Sequence, residues 1–190
     1  MKQVDIYCKV CGMVQQCLED LGRPGIVLEI GCAEGNGVCR YAGQAKKVIA
    51  IDAMVSGRPD LFGVPPGRTR VDESKLREFR RQTGKFENVE LVIGCSSWPA
   101  TIDCVRAVLG DEQVDVLVID GCHHPFDAVW NDFVLYRDMV SSDGFVIFDD
   151  VYEACILQAA EKAIASGQFE LHERWKWTEN LQEIMALRRI

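Results

Sequence analysis

The chain has 190 residues, is 48% hydrophobic and 26% charged, and carries a formal net charge of −8. That length and mix suit one globular domain, residues 1–190, with a full core, and the acidic balance speaks against a nucleic-acid or anionic-membrane binder, which needs a basic face. No apolar run reaches the length of a membrane span and Met1-Lys2-Gln3-Val4-Asp5 opens no signal peptide, so a cytoplasmic protein with no membrane partner is expected.

Val10, Cys11, Val14, Cys17, Leu18 and Leu21 recur at helical spacing, and Gly22 and Pro24 end that helix, which occupies residues 1–24. Ile26 to Ile30 is a short apolar run that reads as a buried strand and stops at the turn Gly31-Cys32-Ala33-Glu34-Gly35-Asn36-Gly37. A helix over Gly37 to Ala45 and a second buried strand, Val48 to Ile51, follow, and the strand delivers Asp52. Residues 54–71, broken by Gly57, Pro59, Gly63, Pro65, Pro66 and Gly67, form a long loop read as a candidate lid.

Asp72 caps a basic helix from Glu73 to Thr83, and a third strand runs from Val89 to Ile93 into Gly94-Cys95-Ser96-Ser97. A helix opened by Ser97 or Trp98, with Pro99 in its first turn, closes at Gly110. The fourth strand, Val114 to Ile119, ends in Asp120. His124 is expected as N-cap of a helix begun by Pro125, whose apolar stripe is Phe126, Val129, Trp130, Phe133, Tyr136 and Met139 or Val140. Ser141 to Gly144 reads as a turn, Phe145 to Phe148 as the fifth strand, and Asp149-Asp150 as its end. A helix from about Tyr152 to Ser166 precedes two strands, Phe169 to Trp175 and Gln182 to Arg188. The expected fold class is α/β: a Rossmann-like, seven-stranded, mostly parallel sheet with an antiparallel C-terminal hairpin and helices on both faces. The nine cysteines include one CxxC, Cys8 to Cys11, without a second pair at zinc spacing; reduced thiols are expected, with Cys32, Cys95, Cys104 and Cys155 acting as small hydrophobes.

Three features carry chemistry. Gly31 and Gly35 leave no Cβ between the first strand's carboxyl end and a ligand, and Asp52, about 20 residues on, offers acceptors for two ribose hydroxyls. The glycines lack the dinucleotide spacing, and Glu29 and Glu34 would repel a pyrophosphate but suit a cofactor bearing an amino group and a sulfonium. A ligand-free glycine turn is the plainer alternative. Second, Asp120, Asp149 and Asp150 fall at strand ends that face one crevice. Their mutual repulsion is relieved by a hard divalent cation, Mg²⁺ or else Mn²⁺ or Ca²⁺, unless Asp150 merely caps the next helix with Glu153. Third, His123 reaches over the same crevice from its loop and suits a general base.

The acid followed by Gly31-x-x-x-Gly35 resembles the first motif of the class I S-adenosylmethionine-dependent methyltransferases. Asp120-Gly121-Cys122-His123 with Phe148-Asp149-Asp150 is similar to the metal-dependent O-methyltransferases of the catechol, caffeoyl-CoA and macrocin/cephalosporin-hydroxylase-like groups. The resemblance covers about Val27 to Val151. It implies cofactor contacts from Glu29, Gly31, Gly35, Asp52, Cys95, Ser96 and Asp120, metal ligation by Asp120, Asp149 and Asp150, and catalysis by His123. The implied cofactors are S-adenosyl-L-methionine and Mg²⁺ (or Mn²⁺ or Ca²⁺). The implied acceptor is a small-molecule hydroxyl in a vicinal diol, catechol or sugar.

A metal-independent small-molecule methyltransferase and a non-catalytic S-adenosylmethionine-binding protein are the alternatives. A nucleic-acid methyltransferase is disfavoured because the fourth strand lacks an Asn-Pro-Pro-Tyr type run, and a nicotinamide oxidoreductase by the glycine spacing. Trp175 and Trp177 suit core, interface or pocket-wall positions, the first two being commoner, and a homo-oligomer is left open.

Overall fold

The computed structural model describes residues 9–55, 70–177 and 182–190. Strands β1 (Ile26–Ile30), β2 (Lys47–Asp52), β3 (Val89–Ile93), β4 (Val114–Ile119) and β5 (Val140–Phe148) are parallel; β7 (Glu183–Arg189) pairs antiparallel with β5 and with β6 (Phe169–Lys176). The sheet order is β3-β2-β1-β4-β5-β7-β6. The chain therefore runs outward in one direction from β1 and in the other from β4, and a doubly wound sheet opens a crevice at that switch point.

The central strands read as continuous apolar runs because helices cover both of their faces. Ile26, Leu28 and Ile30 face one layer, against α4 (Pro99–Leu109), α5 (Phe126–Tyr136) and α6 (Ala154–Ala165). Val27, Val48, Ala50, Val116 and Val118 face the other, against α1 (Lys9–Leu21), α2 (Val38–Tyr41) and Phe79 of α3 (Glu73–Thr83). Alternation along β1 therefore sends Glu29 toward the α1–α2 layer, where it is buried and accepts a hydrogen bond from the Tyr41 hydroxyl.

Several boundaries differ from the sequence reading. Helix α2 stops at Tyr41 rather than Ala45, and the Asn88 side chain donates to the carbonyls of Ala42 and Ala45 just beyond it, at 2.8 Å each. Strand β5 begins at Val140 rather than Phe145: Val140 pairs with Val114, and the Ser141 hydroxyl lies 3.3 Å from the buried Asp115. Pro125, not His124, is the N-cap of α5. Asp150 does not cap α6, whose N-cap is Glu153.

Asp72 does cap α3, accepting from the amides of Ser74 and Lys75. The candidate lid falls mainly on residues 56–69, outside the described residues; a bridge between Val55 and Val71 joins its flanks. Cys11 is disulfide-bonded, against the expectation of reduced thiols throughout, and Cys104 is exposed rather than packed. Trp175 and Trp177 meet edge to face at 6.0 Å and pack against the α1 layer. No described helix is long and apolar enough to cross a membrane.

Candidate functional site

The ladder of the parallel sheet continues one residue past the strands and fixes the chemistry-bearing positions. The amide of Asp120 donates to the Ile30 carbonyl at 3.0 Å, and that of Asp149 to the Ile119 carbonyl at 3.2 Å. Adjacent strand ends thus carry adjacent acids. Gly31 makes the approach possible. Its φ is +92°, and a Cβ there would sit 2.0 Å from the Asp120 carbonyl oxygen, so no side chain fits without parting β1 from β4. We expect Gly31→Ala to lower unfolding stability by more than about 3 kcal/mol, from backbone strain plus displaced main chain; urea denaturation measures it, and a loss below about 1 kcal/mol refutes the steric account. Gly35, at φ +78°, is constrained differently: its Cβ would meet the Phe79 ring at 2.8 Å, so it serves the packing of α3.

Over these strand ends lies a cavity of about 670 Å³, a size suited to a cofactor with its substrate. Of the residues expected to bind the cofactor, Gly31, Asp52, Cys95, Ser96 and Asp120 line it, with His123 and Asp150 on the same wall. Glu29, Gly35, Glu34 and Asp149 are not on its lining. Lys75, His124, Asp132 and Glu153 are, though the sequence reading gave them no role in the cavity.

Asp52 organises one part of this lining. Its two oxygens accept from the amides of Ala33 at 2.9 Å and Met54 at 2.6 Å. Both donors have left-handed backbone, with φ +45° and +50°. Such strain persists only where neighbours enforce it, and here one carboxylate holds both turns. Each carboxylate oxygen has a further lone pair, so Asp52 keeps acceptor capacity for a ligand.

Next to Asp120, His123 stands between two acids: Nε2 is 3.8 Å from Asp120 Oδ1 and Nδ1 is 3.8 Å from Asp150 Oδ2. Asp120, His123 and Asp150 each present a ligand atom within 4.8 Å of the others. Asp120 above all, then the charges of Asp150 and Asp149, raises the His123 pKa against the opposing effect of burial. Asp149 lies outside this group. Burial first, then the charges of Asp120 and Asp150, pushes its carboxyl up to about 8. Asp150 reaches its position through a left-handed φ of +52°.

Two buried acids complete the electrostatics. Burial pushes Glu29 up to about 7, with the Tyr41 hydrogen bond opposing. Burial likewise pushes Asp132 up to about 7, with the Ser96 hydroxyl opposing. Asp132 sits within the apolar stripe of α5, three residues after Val129 and four before Tyr136. An acid on a buried helical face is the signal that could have exposed it.

Known proteins give the arrangement its context. The sequence matches no curated protein. Among solved structures, the chain is similar to the O-methyltransferase of Bacillus cereus in complex with SAH, at 14% identity and a TM-score of 0.71, over 98% of this chain and 83% of that one. It is similar to an rRNA methylase from Streptococcus thermophilus, at 13% identity and a TM-score of 0.65, over 98% and 99%. It is also similar to the N-methyltransferase NodS of Bradyrhizobium japonicum in complex with S-adenosyl-l-homocysteine, at 14% identity and a TM-score of 0.63, over 95% and 86%. At such identities the likeness is one of fold, and it is the class I methyltransferase fold. The family model described as a methyltransferase domain matches residues 28–151, about two thirds of the chain, from β1 through both groups of acids. The chain belongs to that methyltransferase family, the S-adenosylmethionine-dependent enzymes its glycine turn and strand-end acids resemble.

Proposed function

We propose that the protein is an O-methyltransferase that moves the methyl group of S-adenosylmethionine to a hydroxyl of a small molecule, a vicinal diol, catechol or sugar, with a divalent cation as second cofactor. One observation carries this reading: Asp120, His123 and Asp150 converge within 4.8 Å on the wall of the cavity that also holds Asp52 and Ser96. The donor set fits the cation. Asp120 and Asp150 are two carboxylates in one place, and their charges help push a third, Asp149, up to about 8. Oxygen-rich groups of that charge suit Mg²⁺, or Mn²⁺ or Ca²⁺. Asp120 and Asp150 would hold the ion from the cavity wall; Asp149, the third ligand the sequence suggested, lies outside the group that converges there.

The cavity also fits the nucleoside. Asp52 binds the ribose hydroxyls with its remaining lone pairs, Cys95 and Ser96 border the base, and Gly31 keeps the strand end clear of a side chain. Glu29 acts from the layer beneath, buried against Tyr41. When bound, the sulfonium supplies an electrophilic methyl and the cation lowers the pKa of a hydroxyl beside it. His123 takes the acceptor proton, while Asp120 and Asp150, one beside each ring nitrogen, set the ring's orientation. The walls of the cavity hold nucleophile and methyl together, an effect worth up to about 7–11 kcal/mol in well-oriented reactions.

Single-turnover methyl transfer from labelled S-adenosylmethionine tests this, with catechol, vicinal-diol and glycoside acceptors, after EDTA treatment and after Mg²⁺ is restored. Transfer to one acceptor class that EDTA abolishes and Mg²⁺ restores is expected. Transfer that survives EDTA supports the metal-independent alternative. The rRNA methylase likeness makes an rRNA transcript the fourth acceptor, and its methylation in place of the small molecules overturns the acceptor class. The net charge of −8 argues against that outcome.

A further inference from the structure

Helix α5 grips the loop after β3 at two points. Asp132 and Tyr136, four residues apart, lie on one face of the helix. The Ser96 hydroxyl donates to Asp132 Oδ1 at 2.5 Å, and the Tyr136 hydroxyl donates to the Ser96 backbone carbonyl at 2.8 Å. Both the side chain and the main chain of Ser96 are therefore fixed from the same helix. Asp132 is only 3% exposed and yet lines the cavity, as does Ser96. Nothing in the proton transfer described above uses this pair.

The direction of the hydrogen bond has a chemical consequence. A carboxylate only accepts, so the single hydroxyl proton of Ser96 is committed to Asp132. What Ser96 can offer a ligand is its oxygen lone pairs. An acceptor held in this way suits an N–H donor and opposes another lone pair.

We propose that Asp132 is a positioning residue which, through the Ser96 hydroxyl, sets the base specificity of the nucleoside subsite, selecting a purine with a 6-amino group over one with a 6-oxo group. The inference rests on the reading of this cavity as an S-adenosylmethionine site. Adenine presents an exocyclic amine to the Ser96 lone pairs, whereas hypoxanthine presents a carbonyl oxygen that leaves both acceptors unpaired. Sites built on a hydrogen bond reject the analogue that cannot make it far more strongly than apolar pockets reject a size difference.

Titration calorimetry with S-adenosylhomocysteine and S-inosylhomocysteine provides the test, at pH 8.5, where Asp132 is ionised despite its burial. Wild-type protein is expected to prefer the adenosyl compound by at least about 30-fold. In Asp132→Ala no acceptor remains for the Ser96 hydroxyl, which is free to turn its proton into the cavity. The preference should then fall below about 3-fold, through weaker adenosyl and stronger inosyl binding. Ser96→Ala should lose adenosyl affinity without any gain for the inosyl compound. A purely structural role for Asp132 would weaken both ligands alike and leave their ratio unchanged.

A folded Asp132→Ala protein that keeps the wild-type ratio overturns the proposal, whatever Ser96→Ala does. Should that variant fail to fold, Asp132→Leu takes its place, since it too leaves the Ser96 proton without an acceptor and carries the same expected fall in ratio. Wild-type protein that binds neither compound removes the nucleoside site itself. Wild-type protein that binds both equally removes only the specificity device.

Discussion

His123→Ala should slow the methyl-transfer step by about 10²- to 10⁴-fold, the range lost with a positioned general base, while changing S-adenosylmethionine affinity less than about threefold. The expectation follows from where the ring sits. His123 is half-buried on the cavity wall, with one ring nitrogen toward Asp120 and the other toward Asp150. The residues proposed to hold the nucleoside, Asp52 and Ser96, belong to β2 and to the loop after β3, so removing the imidazole leaves their bonds to Ala33, Met54 and Asp132 intact. His172 serves as the control. It lies on β6, paired with Asp20 of α1 at 2.8 Å, away from the cavity lining, and its replacement by Ala should leave the transfer step unchanged. Rapid-quench single-turnover kinetics separates the chemical step from product release. A His123→Ala enzyme with a wild-type single-turnover rate takes the imidazole out of the chemistry.

Much of the architecture was legible in the sequence because each buried parallel strand is an apolar run with polar punctuation. Ile26–Ile30 and Val114–Ile119 are found with the boundaries that their residues suggested. The misread boundaries share another cause: long-range partners that no local pattern encodes. Asn88 holds the turn just past α2 from 43 residues away or more, and Val114 draws Val140 into β5 across a crossover. Candidate site residues were legible where strand ends deliver them, as with Asp52, Asp120 and Asp150. Period-2 alternation could have predicted that Glu29 leaves the cavity for the Tyr41 side, because Ile30 and Val27 already assign the two faces. Asp132 was hidden differently. Its neighbours Val129, Phe133 and Tyr136 made a convincing apolar stripe, and the acid within it finds its Ser96 partner only after folding.

Glu29→Gln should stabilise the protein at pH 8 by about 3 kcal/mol and have little effect near pH 5. The unfolded chain titrates this carboxyl near 4.5 and the folded protein at about 7, a rise caused first by burial. The folded state therefore binds the proton more tightly. As pH climbs from about 4.5 to about 7, the unfolded chain ionises first and stability falls; above 7 both states are ionised and the loss is complete. Each pKa unit corresponds to about 1.4 kcal/mol, so the shift corresponds to about 3 kcal/mol. That is a large share of the roughly 5–15 kcal/mol that holds a domain folded. This sign is opposite to that of a salt-bridged surface acid, whose contribution is lost on acidification. Glutamine keeps an oxygen for the Tyr41 hydroxyl and cannot ionise, so the variant should follow the protonated wild type at every pH. Asp132, also raised to about 7 by burial, adds a slope of the same sign that Glu29→Gln leaves in place. Urea denaturation of wild type and variant at pH 5 and pH 8 gives the difference directly. A gap between the two proteins that is the same at both pH values would mean that Glu29 is not buried as a proton-binding acid. A gap that opens with pH while S-adenosylmethionine affinity stays at its wild-type value would place Glu29 in the fold and outside the cofactor contacts that the motif implies.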